Sequence, residues 1–140
     1  MRTEIIRTKI EEIRESLELI RENLPDSFET FASLGLVKDG MYKRIEFSIE
    51  NVFDICAIIN TDLRLGIPQS DGEIVEILLR NGVIDSEMKE KLKSMKGFRN
   101  IIVHRYGGID DRLSYEFFNE KLGDFDEFIE RITDFMKMQK

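Results

Sequence analysis

Apolar residues recur at alternating steps of three and four along most of this chain, which is the spacing of one buried face of an α-helix. One such stripe spans residues 6–24 and stops at Pro25, and a second spans residues 42–63. Two more follow over residues 88–106 and 115–136. No segment shows the strict alternation that is typical of a half-buried strand. The pattern therefore predicts an all-α fold built from four long helices.

A fifth, short helix is predicted over residues 73–80, because Ser70 and Glu73 have the spacing of a capping box. Residues 26–40 are expected to connect the first two long helices with short helical pieces or turns, and the last helix is expected to start near residue 112. The second stripe also carries apolar residues on its other faces, which indicates a central helix or one that packs on a second subunit. We expect residues 1–140 to form one helical domain, a bundle with an up-down arrangement.

The composition excludes several classes of protein. Hydrophobic residues make up 41% and charged residues 35% of the 140, which is unlike a disordered or a membrane protein. The net charge of −7 argues against indiscriminate nucleic-acid binding. A single cysteine, Cys56, forms neither an intramolecular disulfide nor a cysteine-based zinc site, and no signal peptide is visible. We therefore expect a cytoplasmic protein that makes no contact with a membrane.

The third long helix is basic although the chain as a whole is acidic. Residues 86–105 contain six basic and two acidic side chains, a local net charge of +4. A solvated helix face would explain such a run equally well. A local basic strip on an acidic protein nevertheless indicates a specific anionic partner more strongly than a uniformly basic protein would.

The only histidine of the chain, His104, stands near the end of this basic helix, five residues after Arg99. Histidine is suited to general acid or base catalysis near neutral pH, and arginine to binding a phosphate through two hydrogen bonds. An RNA 2′-hydroxyl can attack its own phosphodiester once a base removes its proton and a cation stabilises the developing charge. This reaction needs no metal. Lys96, Asn100 and Arg105 are candidates for binding the flanking phosphates or the ribose.

Arg99 and Tyr106 fall on the apolar stripe of this helix, where leucine would be expected. A guanidinium at a buried position is costly unless it meets an anion, and Glu50 and Asp54 of the second helix are candidate partners. Positions 99 and 104 lie about 140° apart on an ideal helix, so their side chains do not share a face. They can converge because the helix is about to end at Gly107-Gly108 and because arginine is long. A symmetric dimer with two copies of the pair in one cleft would relax the geometry further.

The segment Phe98-Arg99-Asn100-Ile101-Ile102-Val103-His104-Arg105-Tyr106 resembles the HepT toxins of the HEPN superfamily, which carry the motif Arg-x4-His-x-Tyr near the end of such a helix. The resemblance extends over nearly the whole chain in helix order and length. It implies a homodimeric endoribonuclease that cleaves RNA with Arg99 and His104. It also implies a cognate nucleotidyltransferase antitoxin, MntA, which uses ATP to attach AMP to Tyr106, so that the chain itself needs no cofactor.

Two other functions fit the residues. One is a non-catalytic helical module that presents nucleotide or substrate to a partner nucleotidyltransferase, with Arg99 binding phosphate and His104 structural. The other is a purely structural dimer in which an acid across the interface satisfies a buried Arg99. Tyr106 itself could be an aromatic residue that packs against the partner at the helix end.

Overall fold

The computed structural model describes residues 1–104 and 108–139, with His104 described in its backbone only. These residues form helices, turns and loops and contain no strand. Within them, seven helices follow one another: α1 (Thr3–Asn23), α2 (Phe28–Ala32), α3 (Leu36–Asp62), α4 (Asp71–Arg80), α5 (Ser86–His104), α6 (Asp111–Glu120) and α7 (Leu122–Met138). None of the helices in this part of the chain is long and apolar enough to cross a bilayer.

The long helices run antiparallel to their neighbours, as the ion pairs between them show. Arg2 at the start of α1 pairs with Asp62 at the end of α3. Lys9, about two turns further along α1, pairs with Asp54, about two turns earlier in α3. Helix α7 is antiparallel to α1, because Arg21 near the end of α1 meets Asp126 near the start of α7. It is also antiparallel to α5, because Asp85, just before α5, meets Arg131 late in α7, while Lys91 meets Glu127. The fold therefore brings the end of α5 beside the middle of α3.

Helix α3 is the central element, as its several apolar faces predict. It packs against α1, α4 and α5. Its buried residues include isoleucines on more than one side of the helix, among them Ile45, Ile49, Ile55 and Ile59, all fully buried. Because α3 is buried on several sides, it provides the central surface against which α5 packs.

Two sequence-based boundaries are wrong. The short helical piece expected within residues 26–40 is confirmed by α2, but the connector ends earlier than predicted. Helix α3 begins at Leu36, directly after Gly35, whose positive φ of 62° suits a glycine. The last helix is two helices, α6 and α7, separated at Lys121. The apolar stripe continues through this break, but α6 packs against α2 and α7 packs against α1, so the chain must turn between them.

Side-chain caps mark the starts of α4 and α5, and the first of them confirms the predicted capping spacing of Ser70 and Glu73. The Glu73 amide donates to Ser70 Oγ over 3.2 Å at the start of α4, and the Met88 amide donates to Asp85 Oδ1 over 2.8 Å at the start of α5. The short loop between α3 and α4 passes close to α4 at Gly66, where a Cβ would come within 2.9 Å of the Ile77 side chain. These contacts set the position of α4 and α5 along α3.

Candidate active site

Helix α5 faces the core through Phe98 rather than through Arg99. Phe98 is 4% exposed and its ring stacks on Phe117 of α6 with the ring centroids 4.1 Å apart, whereas the Arg99 side chain is 31% exposed. Arg99 therefore stands on the apolar face, as predicted, but its side chain is only partly buried, and Phe98 fills the core position beside it. Phe98 and Arg99 both continue the three-four spacing between Met95 and Ile102, and the aromatic stack with α6 decides which of them is buried.

Arg99 lies beside Glu50 of α3 at the edge of the core. Its Nη2 donates to Glu50 Oε1 across 3.5 Å, a long hydrogen bond between partly exposed groups. Its Nε atom is buried and has no hydrogen-bond partner among the described residues. A buried N–H without an acceptor is unfavourable. The single long bond to Glu50 uses one of the five donors of the guanidinium, so Arg99 keeps the capacity to bind a second anion.

The expectation of an acidic partner on α3 is confirmed for Glu50 and wrong for Asp54. Asp54 pairs instead with Lys9 of α1, whose Nζ lies 3.2 Å from Asp54 Oδ2. Because Arg99 finds its carboxylate within its own chain, a structural dimer is not needed to neutralise it. The position of Lys9 could not be read from the sequence, since it depends on the packing of α1 on α3.

Arg99 opens into a cleft of about 320 Å³ between α3, the start of α4 and α5. The cleft carries two cationic side chains, Lys96 and Arg99, and three carboxylates, Glu50, Asp54 and Asp71. Lys96 was predicted as a substrate-binding residue, and the structure places it in the same cleft as Arg99. Asp71 is the first residue of α4, and nothing in the sequence signals that it lines this cleft.

The remaining predicted site residues lie at or beyond the end of α5. Asn100 is exposed and does not line the cleft. His104 is the last residue of α5, and its side chain lies outside the described residues. Arg105 and Tyr106 also lie outside the described residues. The structure therefore brings together Arg99, Lys96 and Glu50, while the roles of the other residues stay predictions.

A second polar cluster fixes the chain just after the segment that carries Tyr106. Asp111, the first residue of α6, accepts hydrogen bonds from the Tyr42 hydroxyl over 2.6 Å and from Lys38 Nζ over 2.8 Å. Burial and the hydrogen bond to Asp111 raise the pKa of Tyr42 above its ordinary value. Sequence reasoning missed this cluster, because its residues are about 70 positions apart.

Comparison with known proteins identifies the family of this chain. A family model described as ribonuclease HepT-like matches residues 13–132. A protein of Archaeoglobus fulgidus, described as a candidate RNase, is 34% identical over 137 residues, which cover 98% of this chain and 97% of that protein. The mRNA nuclease HepT of Shewanella oneidensis is 30% identical over 129 residues, which cover 92% of this chain and 96% of that protein.

Solved structures agree with the sequence comparisons. The tri-AMPylated HEPN toxin of Shewanella oneidensis, in complex with an MNT antitoxin, superposes with a TM-score of 0.83 at 29% identity and covers 93% of this chain and 97% of its own. A toxin–antitoxin complex with AMP-PNP gives a TM-score of 0.85 at 29% identity, covering 94% of this chain and 98% of the matched one. With its all-α fold, its Arg99 cleft and these full-length matches, the chain belongs to the HepT-like ribonuclease family.

Proposed function

We propose that this chain is the toxin of a toxin–antitoxin pair, a metal-independent endoribonuclease that uses Arg99 and His104 and is neutralised by AMPylation of Tyr106. The observation that carries the proposal is Arg99 at a cleft, with a buried Nε that lacks an acceptor. The family match supports the reaction type, and the name of the Shewanella relative points to mRNA as the substrate. Because RNA and an ATP-using partner are available in the cytoplasm, we propose that the protein acts there.

The reaction we propose is an internal transfer at one phosphodiester. The RNA 2′-oxygen bonds to phosphorus as the bond from phosphorus to the 5′-oxygen breaks, which leaves a 2′,3′-cyclic phosphate and a 5′-hydroxyl. His104 acts as general base on the 2′-hydroxyl or as general acid on the leaving oxygen. Arg99 donates two hydrogen bonds to the phosphoryl oxygens and stabilises the extra negative charge. Lys96, which lines the same cleft, binds an adjacent phosphate, and Asn100 and Arg105 are further candidates for this role.

A homodimer is part of the proposal, because one helix does not bring the motif positions together. Positions 99 and 104 are about 140° apart around α5. Two copies of α5 that face each other would place Arg99 of one protomer near His104 of its partner. The site would then hold two histidines, one for each proton transfer.

Neutralisation follows from charge and bulk at the same site. The Tyr106 oxygen attacks the α-phosphorus of ATP, pyrophosphate leaves and the phenolic proton passes to solvent. The attached phosphate brings negative charge beside Arg99 and occupies the donors that RNA needs. The complexes of the Shewanella HEPN toxin with its MNT antitoxin, in which that toxin is tri-AMPylated, support a nucleotidyltransferase partner for this chain as well.

Substitution of the histidine tests the nuclease. The wild-type chain is expected to degrade RNA and to arrest growth when it is expressed alone, and His104→Ala is expected to do neither while it elutes at the same oligomeric size. Undiminished toxicity of His104→Ala would contradict the nuclease and favour a non-catalytic module that presents nucleotide to its partner.

Mass spectrometry tests the modification separately. Incubation with the antitoxin, ATP and Mg²⁺ is expected to add mass in steps of one AMP to the wild-type chain and none to Tyr106→Phe. Equal modification and inactivation of Tyr106→Phe would show that another residue accepts the AMP.

A further inference from the structure

One face of α5 carries a line of basic and polar side chains that ends at the proposed site. At about 100° per residue, four positions fall within a sector of about 60°. We call this face the lysine track, and it consists of Lys89, Lys93, Lys96 and Asn100. The two acidic residues of the helix, Glu87 and Glu90, lie about 100° or more from Lys89 and so fall outside the sector.

The lysine track runs between the two motif positions. Taking Lys89 as the reference direction, position 99 lies about 80° to one side and position 104 about 60° to the other. Lys96 lines the Arg99 cleft, so the track and the cleft are continuous. A strand of nucleic acid that follows the track would therefore reach both residues of the motif.

The lysine track already pairs with one anionic group, the carboxylate of Glu76. Glu76 of α4 pairs with Lys89, whose Nζ lies 2.6 Å from Glu76 Oε1. The hydrogen bond from Lys89, with the charges of Lys89, Arg80 and Lys93, lowers the pKa of the Glu76 carboxyl below its ordinary value. One carboxylate thus already pairs with the track at Lys89.

Lys93 and Lys96 are the cations of the track that remain available. Within residues 1–104 and 108–139 neither of them forms an ion pair, whereas Lys89 is occupied by Glu76. Lys93 is exposed and Lys96 is half-buried against the cleft. Their separation of three residues corresponds to about 4.5 Å along the helix axis. Flexible lysines at such intervals suit a backbone of repeated phosphates, which binds by charge rather than by base sequence.

From these observations we infer that the lysine track binds the backbone of single-stranded RNA beyond the cleaved bond, with Lys93 as a phosphate-binding residue outside the motif. This inference rests on the proposed nuclease function and adds to it the path of the substrate. Position 93 lies about 16 Å from position 104 along the axis. Position 93 lies about 9 Å from position 99 along the same axis, so only RNA that carries phosphates beyond the cleaved bond reaches Lys93.

Binding of an uncleavable single strand tests the track directly. The probe is a fluorescent 12-mer of 2′-O-methyl RNA, and its Kd for the wild-type protein is measured over a series of salt concentrations. For Lys93→Gln we expect a Kd about fivefold weaker at low salt. We also expect the slope of log K against log salt to be shallower by about 0.7, the loss of one phosphate contact with a single strand. Lys137→Gln, an equal charge change at an exposed position of α7, is the matched control and should follow the wild type.

Cleavage of short and long RNA separates the track from a structural effect. Lys93→Gln is expected to lower kcat/KM on the cleavable 12-mer and to leave kcat/KM on a dinucleotide unchanged, because a dinucleotide has only the phosphate that is cleaved. An equal loss on both substrates would assign Lys93 to the structure of the site and overturn the inference.

The remaining outcomes also decide the question. If the wild type cleaves RNA and Lys93→Gln matches it in Kd and salt slope, the track is wrong and the proposed function stands. If Lys93→Gln weakens binding of the antitoxin but not of RNA, the face is a protein-docking surface instead. If the wild type neither binds nor cleaves RNA, the proposed function and the track both fail.

Discussion

The guanidinium of Arg99 and the carboxylate of Glu50 meet across 3.5 Å between α5 and α3, while Arg99 Nε stays buried without an acceptor. The pair holds the arginine toward the cleft but uses only part of its donor fork. A phosphate that enters the cleft must therefore share Arg99 with a carboxylate already in place. Glu50 both orients the arginine and competes with the substrate.

Glu50→Gln is expected to tighten RNA binding. The amide oxygen still accepts from Arg99 Nη2, so the orientation is retained, while one negative charge beside the phosphate is removed. For a partly exposed group this charge is worth about 1 kcal/mol, which corresponds to a KM about fivefold lower with kcat changed by about twofold at most. Steady-state cleavage of a defined single strand measures both constants.

Asp54→Asn is the matched control for that prediction. Asp54 lines the same cleft but pairs with Lys9 rather than with Arg99. Asp54→Asn removes one negative charge from the cleft, as Glu50→Gln does, but leaves the pair between Arg99 and Glu50 intact. A smaller change in KM is therefore expected. If Asp54→Asn lowers KM as much as Glu50→Gln, the effect comes from the total charge of the cleft and not from the Arg99 pair.

Neighbouring substitutions in α5 should separate folding from catalysis. Phe98→Ala removes a buried ring that stacks on Phe117, which should cost about 3–4 kcal/mol of unfolding free energy in urea denaturation. Arg99→Ala is expected to change stability by about 1 kcal/mol or less and to abolish cleavage. Should Phe98→Ala fail to fold, Phe98→Leu provides a milder test of the same ring. A large loss of stability in Arg99→Ala would contradict the assignment of Arg99 to the cleft.

Cys56 is expected to be inert in the native protein. It is fully buried on α3, and burial raises the pKa of its thiol to about 12, so the reactive thiolate is scarce at neutral pH. Labelling with a thiol reagent at pH 8 should be negligible in buffer and complete in urea. Rapid labelling of the folded protein would show that the α3 environment opens to solvent.

The pair between Arg2 and Asp62 predicts a specific pH dependence of stability. The hydrogen bond from Arg2 holds the pKa of Asp62 below its usual 3.8 in the folded state. A depressed folded pKa contributes stability above the unfolded pKa, and this contribution is lost as pH falls through the folded value. Asp62→Asn should therefore have a lower Tm than the wild type at pH 7, and the two Tm values should converge as pH falls below 3.8. A Tm difference that stays constant down to low pH would contradict the ion pair as its source.

The apolar spacing was sufficient to predict the all-α fold, because each long stripe matches one buried helix face. The spacing could not predict the break at Lys121, since the stripe continues through it and only the packing of α6 on α2 and α7 on α1 requires a turn. The apolar spacing also does not determine whether Phe98 or Arg99 is the buried residue. The choice follows from the stack on Phe117.

The candidate site shows the same limit. The motif predicted Arg99 as a site residue, and its charge predicted a carboxylate partner on α3. The sequence did not distinguish Glu50 from Asp54 as that partner. The structure does, because Asp54 pairs with Lys9 of α1 and Glu50 pairs with Arg99. Asp71 lines a cleft together with residues of α3 and α5, and Asp111 pairs with Lys38. These residues are distant in sequence, and no local pattern signals that they meet. Local spacing predicts helices, whereas the lining of a cleft depends on how the helices pack.

Analysis of the RNA ends tests the central claim most directly. Purified wild-type protein is incubated with a defined single-stranded RNA, and the product termini are identified by mass spectrometry beside those from His104→Ala. Attack by the 2′-hydroxyl with Arg99 and His104 predicts 2′,3′-cyclic phosphate and 5′-hydroxyl ends from the wild type and no cleavage by His104→Ala. Ends with a 3′-hydroxyl and a 5′-phosphate, or the same cyclic ends at an undiminished rate from His104→Ala, would contradict it.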